Sequence, residues 1–394
     1  MNNSARQFGP ETQGAIYLRG LSGAKPDIPT NFTGLEAAAQ RKMSPEAWAY
    51  TAGSAGLETA ADANRAAFAR FPIAPRMLAG AAQRNLGCEI FGAQVAAPLF
   101  SSPIGVLEMM HPDADLAVAR AMARLNLPMI VSSQASYPME EIAKANGDGP
   151  RFYQLYWGKV DAVAESFVKR AEAIGCRAIF ITLDTLVLGW RPRDLDLGFS
   201  PFLRGQGIAQ YTSDPAFRAL LPQTPEENPQ AAAFQFTQVF SDPGVDWKRI
   251  AKIRSWTKLP VVLKGIMRPD DAAKAVSEGY DGIMVSNHGG RQVDGGIGAL
   301  DALPGVVAAA KGKVPVFMDS GVRCGADAFK ALALGAKAVG IGRPYVYGLA
   351  LGGDAGVQAV MEYLLAELDL TMALNGCPTP RDIKAELLGM KQNL

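Results

Sequence analysis

Histidine is almost absent from this chain, with only His111 and His288 among 394 residues. Cysteine is scarce too: Cys88, Cys176, Cys324 and Cys377 lie far apart and form no CxxC. So few soft ligands at such spacing exclude a structural zinc site, and no metal is expected; the thiols read as reduced and structural. Net charge is nearly missing as well. With 39 Lys and Arg against 38 Asp and Glu the formal charge is +1, which gives no electrostatic case for nucleic acid or an acidic surface. No stretch approaches the roughly 18 uninterrupted apolar residues of a membrane-spanning helix. The polar start MNNSARQFGPETQG has no apolar segment of the kind a secretory signal needs. What is present, 48% hydrophobic and 20% charged residues, is the balance of a soluble globular protein with room for one large barrel or two ordinary domains. A cytoplasmic enzyme is the starting expectation.

Residues 1–75 read as an N-terminal helical extension, loosely ordered to about residue 30 and then Ala-rich from Gly34 to Phe71. Beyond it come short apolar runs rich in Val, Ile and Phe at 97–102, 128–133, 151–157, 178–184, 260–265, 282–288, 314–321 and 338–343. Runs of this length bounded by turn residues read as buried strands. The segments between them carry apolar residues at helical spacing and several start at Asp or Pro and stop at Gly or Asn. Eight strands alternating with helices predict an α/β fold of parallel βαβ units closed into a (β/α)8 TIM barrel over residues 76–394. The connection at about 185–259 is far longer than an ordinary crossover. Leaving the C-terminal face of the fourth strand, it reads as a lid, with a disordered linker as the alternative for its part LPQTPEENPQAAAFQ.

Catalytic groups of such barrels sit where strands end. Those ends here offer Ser132, Gln154, Tyr156, Thr182, Asp184, Lys264, His288 and Arg343, with Arg323 just after the seventh strand. The seventh and eighth strands run into DSGVRCGAD and GIGRPYVYG, two glycine-containing turns that each bring an arginine. That combination predicts a phosphate-bearing ligand, cradled by backbone N–H groups and held by Arg323 and Arg343. NAD is not expected, because no GxGxxG opens a helix after the first strand. Small neutral groups from Ser132, Gln154 and Thr182 beside the positive Lys264 suit a flavin ring and the anion it becomes on reduction.

Taken together, FYQLY (152–156), ITLDT (181–185), LKG (263–265), SNHGGRQ (286–292), DSGVRCGAD (319–327) and IGRP (341–344) resemble the FMN-dependent 2-hydroxy-acid oxidases and dehydrogenases, from about Leu35 onward. The resemblance implies FMN as cofactor, an L-2-hydroxy acid as substrate and a homotetramer or homo-octamer. It makes His288 the base, with Asp184 hydrogen-bonded to its imidazole. Arg291 and Arg191 would pair with the substrate carboxylate, Tyr50 and Tyr156 would bond the carboxylate and the reacting oxygen, and Lys264 would favour the reduced anionic ring. Ser132, Gln154, Thr182 and Ser286 would contact FMN, with Pro103, Ile104 and Gly105 beneath it; Asp319, Gly321, Arg323, Gly342 and Arg343 would hold its ribityl phosphate. Gly289 and Gly290 are expected to let substrate and backbone approach closely.

Within the family, DTLVLGWRPRDLDLGF, PFLRG, YTSDPAF and the long fourth loop most resemble the lactate 2-monooxygenase branch. That implies L-lactate and O2 as substrates, with product trapped until acetate, carbon dioxide and water form; the alternative is an oxidase releasing a 2-oxo acid and hydrogen peroxide. Gln134 departs from the pattern, standing where an apolar or aromatic side chain would face the substrate. His111 reads as an ordinary contact near a helix start, and Trp157 and Trp190 as either lid or packing residues. An FMN barrel isomerase, or a flavin-binding homologue without activity, would not need His288, Arg291, Tyr50 and Tyr156 together.

Overall fold

The structure, a computed structural model, describes residues 6–389. Four helices come first: α1 (Phe8–Gly20), α2 (Phe32–Lys42), α3 (Pro45–Ala52) and α4 (Thr59–Arg70). A two-stranded antiparallel hairpin follows, β1 (Cys88–Ile90) and β2 (Ala93–Val95). Eight parallel strands then close a barrel: β3 (Leu99–Ser101), β4 (Met129–Val131), β5 (Arg151–Tyr156), β6 (Ile179–Thr182), β7 (Val261–Lys264), β8 (Gly282–Val285), β9 (Val316–Met318) and β10 (Ala338–Ile341), with β10 returning to β3. This is the (β/α)8 barrel expected from the sequence. Helices cover its outside, so both faces of most strands are buried and the strands are mainly apolar rather than alternating, with exceptions such as Arg151 and Gln154 of β5 and Lys264 of β7.

Most strands are shorter than the apolar runs suggested, because several of the polar residues that end the runs, such as Asp184 and His288, leave the ladder, whereas Tyr156, Thr182 and Lys264 stay in it. The run at 282–288 shows this: β8 stops at Val285 and His288 begins a single 3-10 turn. Inside the barrel Phe100, Phe152, Phe180 and Phe317 pack together, with Ile90, Ala93 and Val95 of the hairpin below them. The hairpin therefore plugs the N-terminal end. Any site must lie at the other end, where the strand termini are polar.

The long connection after β6 is folded throughout. Its Pro/Gln-rich part is not a disordered linker: turns at 221–228 lead into a helix, Pro229–Val239, started by Pro and capped by Asn228, whose Oδ1 accepts from Ala231 N at 3.0 Å. Phe236 of that helix packs on Phe202, Tyr211 and Phe240. Asp214, wholly buried, fixes the segment to the barrel wall through Ser166 Oγ (2.7 Å) and Arg170 Nη1 (3.1 Å). The earlier part is different: Val187, Leu188, Trp190 and Leu203 are exposed. After β10 one long helix, Arg343–Leu374, bends at Gly352–Gly353 and carries Asp369, which bonds Gly9 N of α1 at 2.8 Å and pairs with buried Arg84. No helix of the described residues is long and apolar enough to cross a membrane.

Candidate active site

Register brings the first residues together. Tyr156 lies beside Thr182, and Thr182 beside Lys264, at the C-terminal ends of β5, β6 and β7. Two residues beyond β6, Asp184 reaches over this row. Its Oδ1 lies 2.8 Å from His288 Nδ1, and its Oδ2 accepts from Lys264 Nζ at 3.3 Å. Lys264 Nζ is also 3.5 Å from His288 Nδ1. Burial alone would raise the Asp184 carboxyl, but the charges of Lys264 and His288 and their hydrogen bonds hold it well below the usual range. With Nδ1 engaged by Asp184, the other ring nitrogen, Nε2, is left toward Tyr156 Oη at 3.5 Å. Burial lowers the imidazole pKa; Asp184 pulls it up and Lys264 down again, with the balance below 6.5.

His288 sits in backbone that few side chains adopt, with φ +57°. Neighbours over-determine the turn. Asn287 Oδ1 accepts from Gly290 N at 3.1 Å, and Asn287 exchanges two amide hydrogen bonds with Asn64 of α4, at 2.8 and 2.9 Å. Ser286 Oγ accepts from His288 N (3.1 Å), and Ser320 Oγ accepts from Gly289 N (3.0 Å) while donating to Asp319 (3.0 Å). The two glycines divide their work differently from the expectation. Gly289 does line the cavity, but Gly290 does not: a Cβ there would come within 2.7 Å of Ala61 N, so its missing side chain admits α4 rather than substrate.

The C-terminal end of α3, the negative pole of that helix, gathers two arginines. Arg291 Nη1 donates to the carbonyls of Tyr50 and Gly53 (2.8 Å to the latter), and its guanidinium lies 4.9 Å over the Tyr50 ring. Arg343 donates to the carbonyls of Thr51 (2.9 Å), Gly53 (2.9 Å) and Gly289 (3.0 Å). Arg191 bonds Arg291 O at 3.1 Å and Gln292 Oε1 at 2.7 Å. Burial, helped by Arg191, lowers Arg291 to about 10, and burial, helped by Arg343, lowers Arg323 to about 9. Neither Arg323 nor Arg343 forms an ion pair among the described residues. Two neighbouring half-buried cations without a paired carboxylate are costly unless an anion joins them.

These groups surround a cavity that opens to solvent. Tyr50, Pro103, Ile104, Gly105, Tyr156, Arg191, Lys264, His288, Arg291, Asp319, Gly321, Arg323, Gly342 and Arg343 line it. Ser132, Gln154, Thr182, Asp184 and Ser286 stand behind that wall. Gln154 Nε2 and Thr182 Oγ1 are buried and have no hydrogen-bond partner among the described residues, so the floor holds unmet polar groups as well as unmet charge. Reading strand ends overlooked Thr185, whose Oγ1 bonds Asp184 Oδ1 at 2.7 Å and lies 3.1 Å from His288 Nδ1. It overlooked Ser102 too, which donates to Asp319 at 2.9 Å. Threonine next to the aspartate in ITLDT was the available signal for the first. His111 lies off the site, its Nδ1 accepting from Asp113 N at 3.1 Å, and Trp157 stacks on Trp256 with ring centres 4.7 Å apart. Trp190, in the connection after β6, is 74% exposed.

Comparison with known proteins agrees with this geometry. The family described as FMN-dependent dehydrogenase matches residues 39–390. An L-lactate oxidase of Lysinibacillus sphaericus is 42% identical over 365 residues, covering 93% of this chain and 94% of its own length. The 2-hydroxyacid oxidase 1 of Homo sapiens is 42% identical over 343 residues, with 86% and 90% covered. Among solved structures, mandelate oxidase with (S)-4-hydroxymandelic acid superposes with a TM-score of 0.81 at 35% identity, covering 92% of this chain and 98% of that one.

Proposed function

The chain belongs to the FMN-dependent dehydrogenase family, and from that premise we propose that it oxidises an L-2-hydroxy acid of lactate size, L-lactate included, with O2 as second substrate. One observation carries the reading: His288 and Tyr156 line one cavity with Lys264 and two arginines, and Asp184 bonds the imidazole from behind its wall.

The cofactor is FMN, and the unmet groups fit it. Arg323 and Arg343 would hold the phosphate with Asp319, Gly321 and Gly342 around it. Gln154, Thr182, Ser132 and Ser286 would meet the ring, Pro103, Ile104 and Gly105 would underlie it, and Lys264 would supply a charge beside it. Bound FMN supplies the two-electron acceptor. His288 takes a proton from the substrate at Nε2, and Asp184, held ionised at Nδ1, stabilises the imidazolium that forms. Arg291 and Arg191 bind the carboxylate through guanidinium N–H groups not given to backbone carbonyls or Gln292, with Tyr50 beside them.

A neutral imidazole is the active form of the base, so activity is present above its pKa and lost as pH falls through it. Since burial depresses that pKa, the acid limb of kcat/KM is expected below pH 6.5. A pH profile with its acid limb at or above that value would contradict the arrangement.

For the second half of the reaction we favour the monooxygenase outcome, in which the 2-oxo product is retained and acetate, carbon dioxide and water leave. The folded lid supports it: Glu108 Oε1 accepts from Gly207 N at 2.8 Å, and Asp214 is fixed to the barrel wall. Release of a 2-oxo acid and hydrogen peroxide is the second reading, favoured by the exposed residues at 187–203 and by the relatives named oxidases. Product analysis in air decides: acetate without peroxide is expected, and stoichiometric peroxide with pyruvate would replace the first reading by the second. A cytoplasmic homotetramer or homo-octamer belongs to the same proposal, supported by the family resemblance.

A further inference from the structure

Gln134 lines the cavity that holds His288, Tyr156 and Arg191. It is 6% exposed, and its Nε2 has no hydrogen-bond partner among the described residues. The backbone beneath it is fixed. Gln134 N donates to Ser132 Oγ at 3.0 Å, and Gln134 O accepts from Val106 N at 2.9 Å. Gly105 presses against it so closely that a Cβ there would lie 2.6 Å from Gln134 Cβ. The residue is therefore anchored at its root, with an unmet amide donor at its tip. Buried donors are rarely left unmet, and an amide offers two N–H groups that only an acceptor satisfies.

The other polar groups of the substrate wall have assigned partners in the reaction. Arg291 and Arg191 serve the carboxylate, and His288 and Tyr156 face the reacting carbon and its oxygen. What remains of a 2-hydroxy acid is the substituent on carbon 2. Resting on the functional reading above, we infer that Gln134 reads this substituent, and that the preferred substrates carry an oxygen acceptor, hydroxyl or carboxylate, on carbon 3. Carboxylates do not oppose this: Asp319, the acid that lines the cavity, is bonded to Ser102 and Ser320. A methyl group there leaves the amide unmet, and sites built to hydrogen-bond a group discriminate against analogues that lack it.

The test compares four acids on the FMN-loaded protein: L-lactate, L-2-hydroxybutyrate, L-glycerate and L-malate. Glycerate and 2-hydroxybutyrate are nearly equal in size and differ by a hydroxyl in place of a methyl. Glycerate, malate or both are expected to exceed 2-hydroxybutyrate in kcat/KM by about tenfold or more, and the better of the two identifies hydroxyl or carboxylate as the group read. In Gln134→Met that ratio is expected to fall to about one. Wild-type protein that uses 2-hydroxybutyrate as well as both oxygen-bearing acids overturns the inference without any variant. So does a Gln134→Met protein in which all four acids change by one common factor. If no acid reduces the flavin anaerobically, the functional reading itself fails, which is a different result.

Discussion

Gln in place of His288 should give a yellow protein that keeps its FMN and has lost flavin reduction by L-lactate, by about 10²–10⁴-fold, the usual contribution of a positioned base. Binding should survive because the turn is not held by the imidazole. Its hydrogen bonds come from Asn287, Ser286 and Ser320, acting on backbone amides. Of the flavin contacts proposed above, Ser286 shares the β8 end with His288 and bonds its backbone amide, not its imidazole; the others lie on or after other strands. A glutamine amide can donate to Asp184 as the imidazole does, but it has no basic nitrogen to receive a proton. Anaerobic stopped-flow absorbance with saturating substrate measures the step directly. Reduction at the wild-type rate would show that another group is the base. Loss of the flavin would show that His288 is structural instead.

How far the sequence alone leads depends on what kind of information each residue carries. Barrel strands were legible because burial on both faces makes them mainly apolar, with turn residues at each boundary. The positions of His288, Asp184 and Lys264 were legible for a related reason: polar side chains at the ends of such strands have few other places to go. The hairpin plug was not, since CEI and AQV are three-residue strands too short to show a period. Ser320 was equally silent. Its φ of +78° is one that glycine favours, and only the fold shows its hydroxyl supporting the amide after His288. Gly290 was legible as a glycine that mattered, yet the reason lay in α4, more than two hundred residues earlier. Arg343 likewise looked like a strand-end cation, and the carbonyls of α3 that receive it belong to the helical extension.

Lys264→Met is the second change with a large expected effect, and its direction follows from charge. Lys264 is 2% exposed and touches both partners of the acid–base pair. With the ammonium gone, His288 is the positive group left against the buried Asp184 carboxylate. Asp184 loses the largest of the influences that depress its pKa, and His288 loses one of those that keep its own pKa low. Both pKa values rise. The imidazole then holds its proton to higher pH than in wild type, which leaves less of the neutral base. Flavin reduction at pH 7 should fall on the order of 10²-fold or more. Because a raised histidine pKa leaves the neutral base present only at higher pH, the acid limb should move upward and part of the rate should return under alkaline conditions. The same rate loss with an unmoved limb would mean that Lys264 acts on the flavin and not through His288. Comparing the pH profile of the variant with that of wild type therefore separates two roles that a single rate at neutral pH would merge.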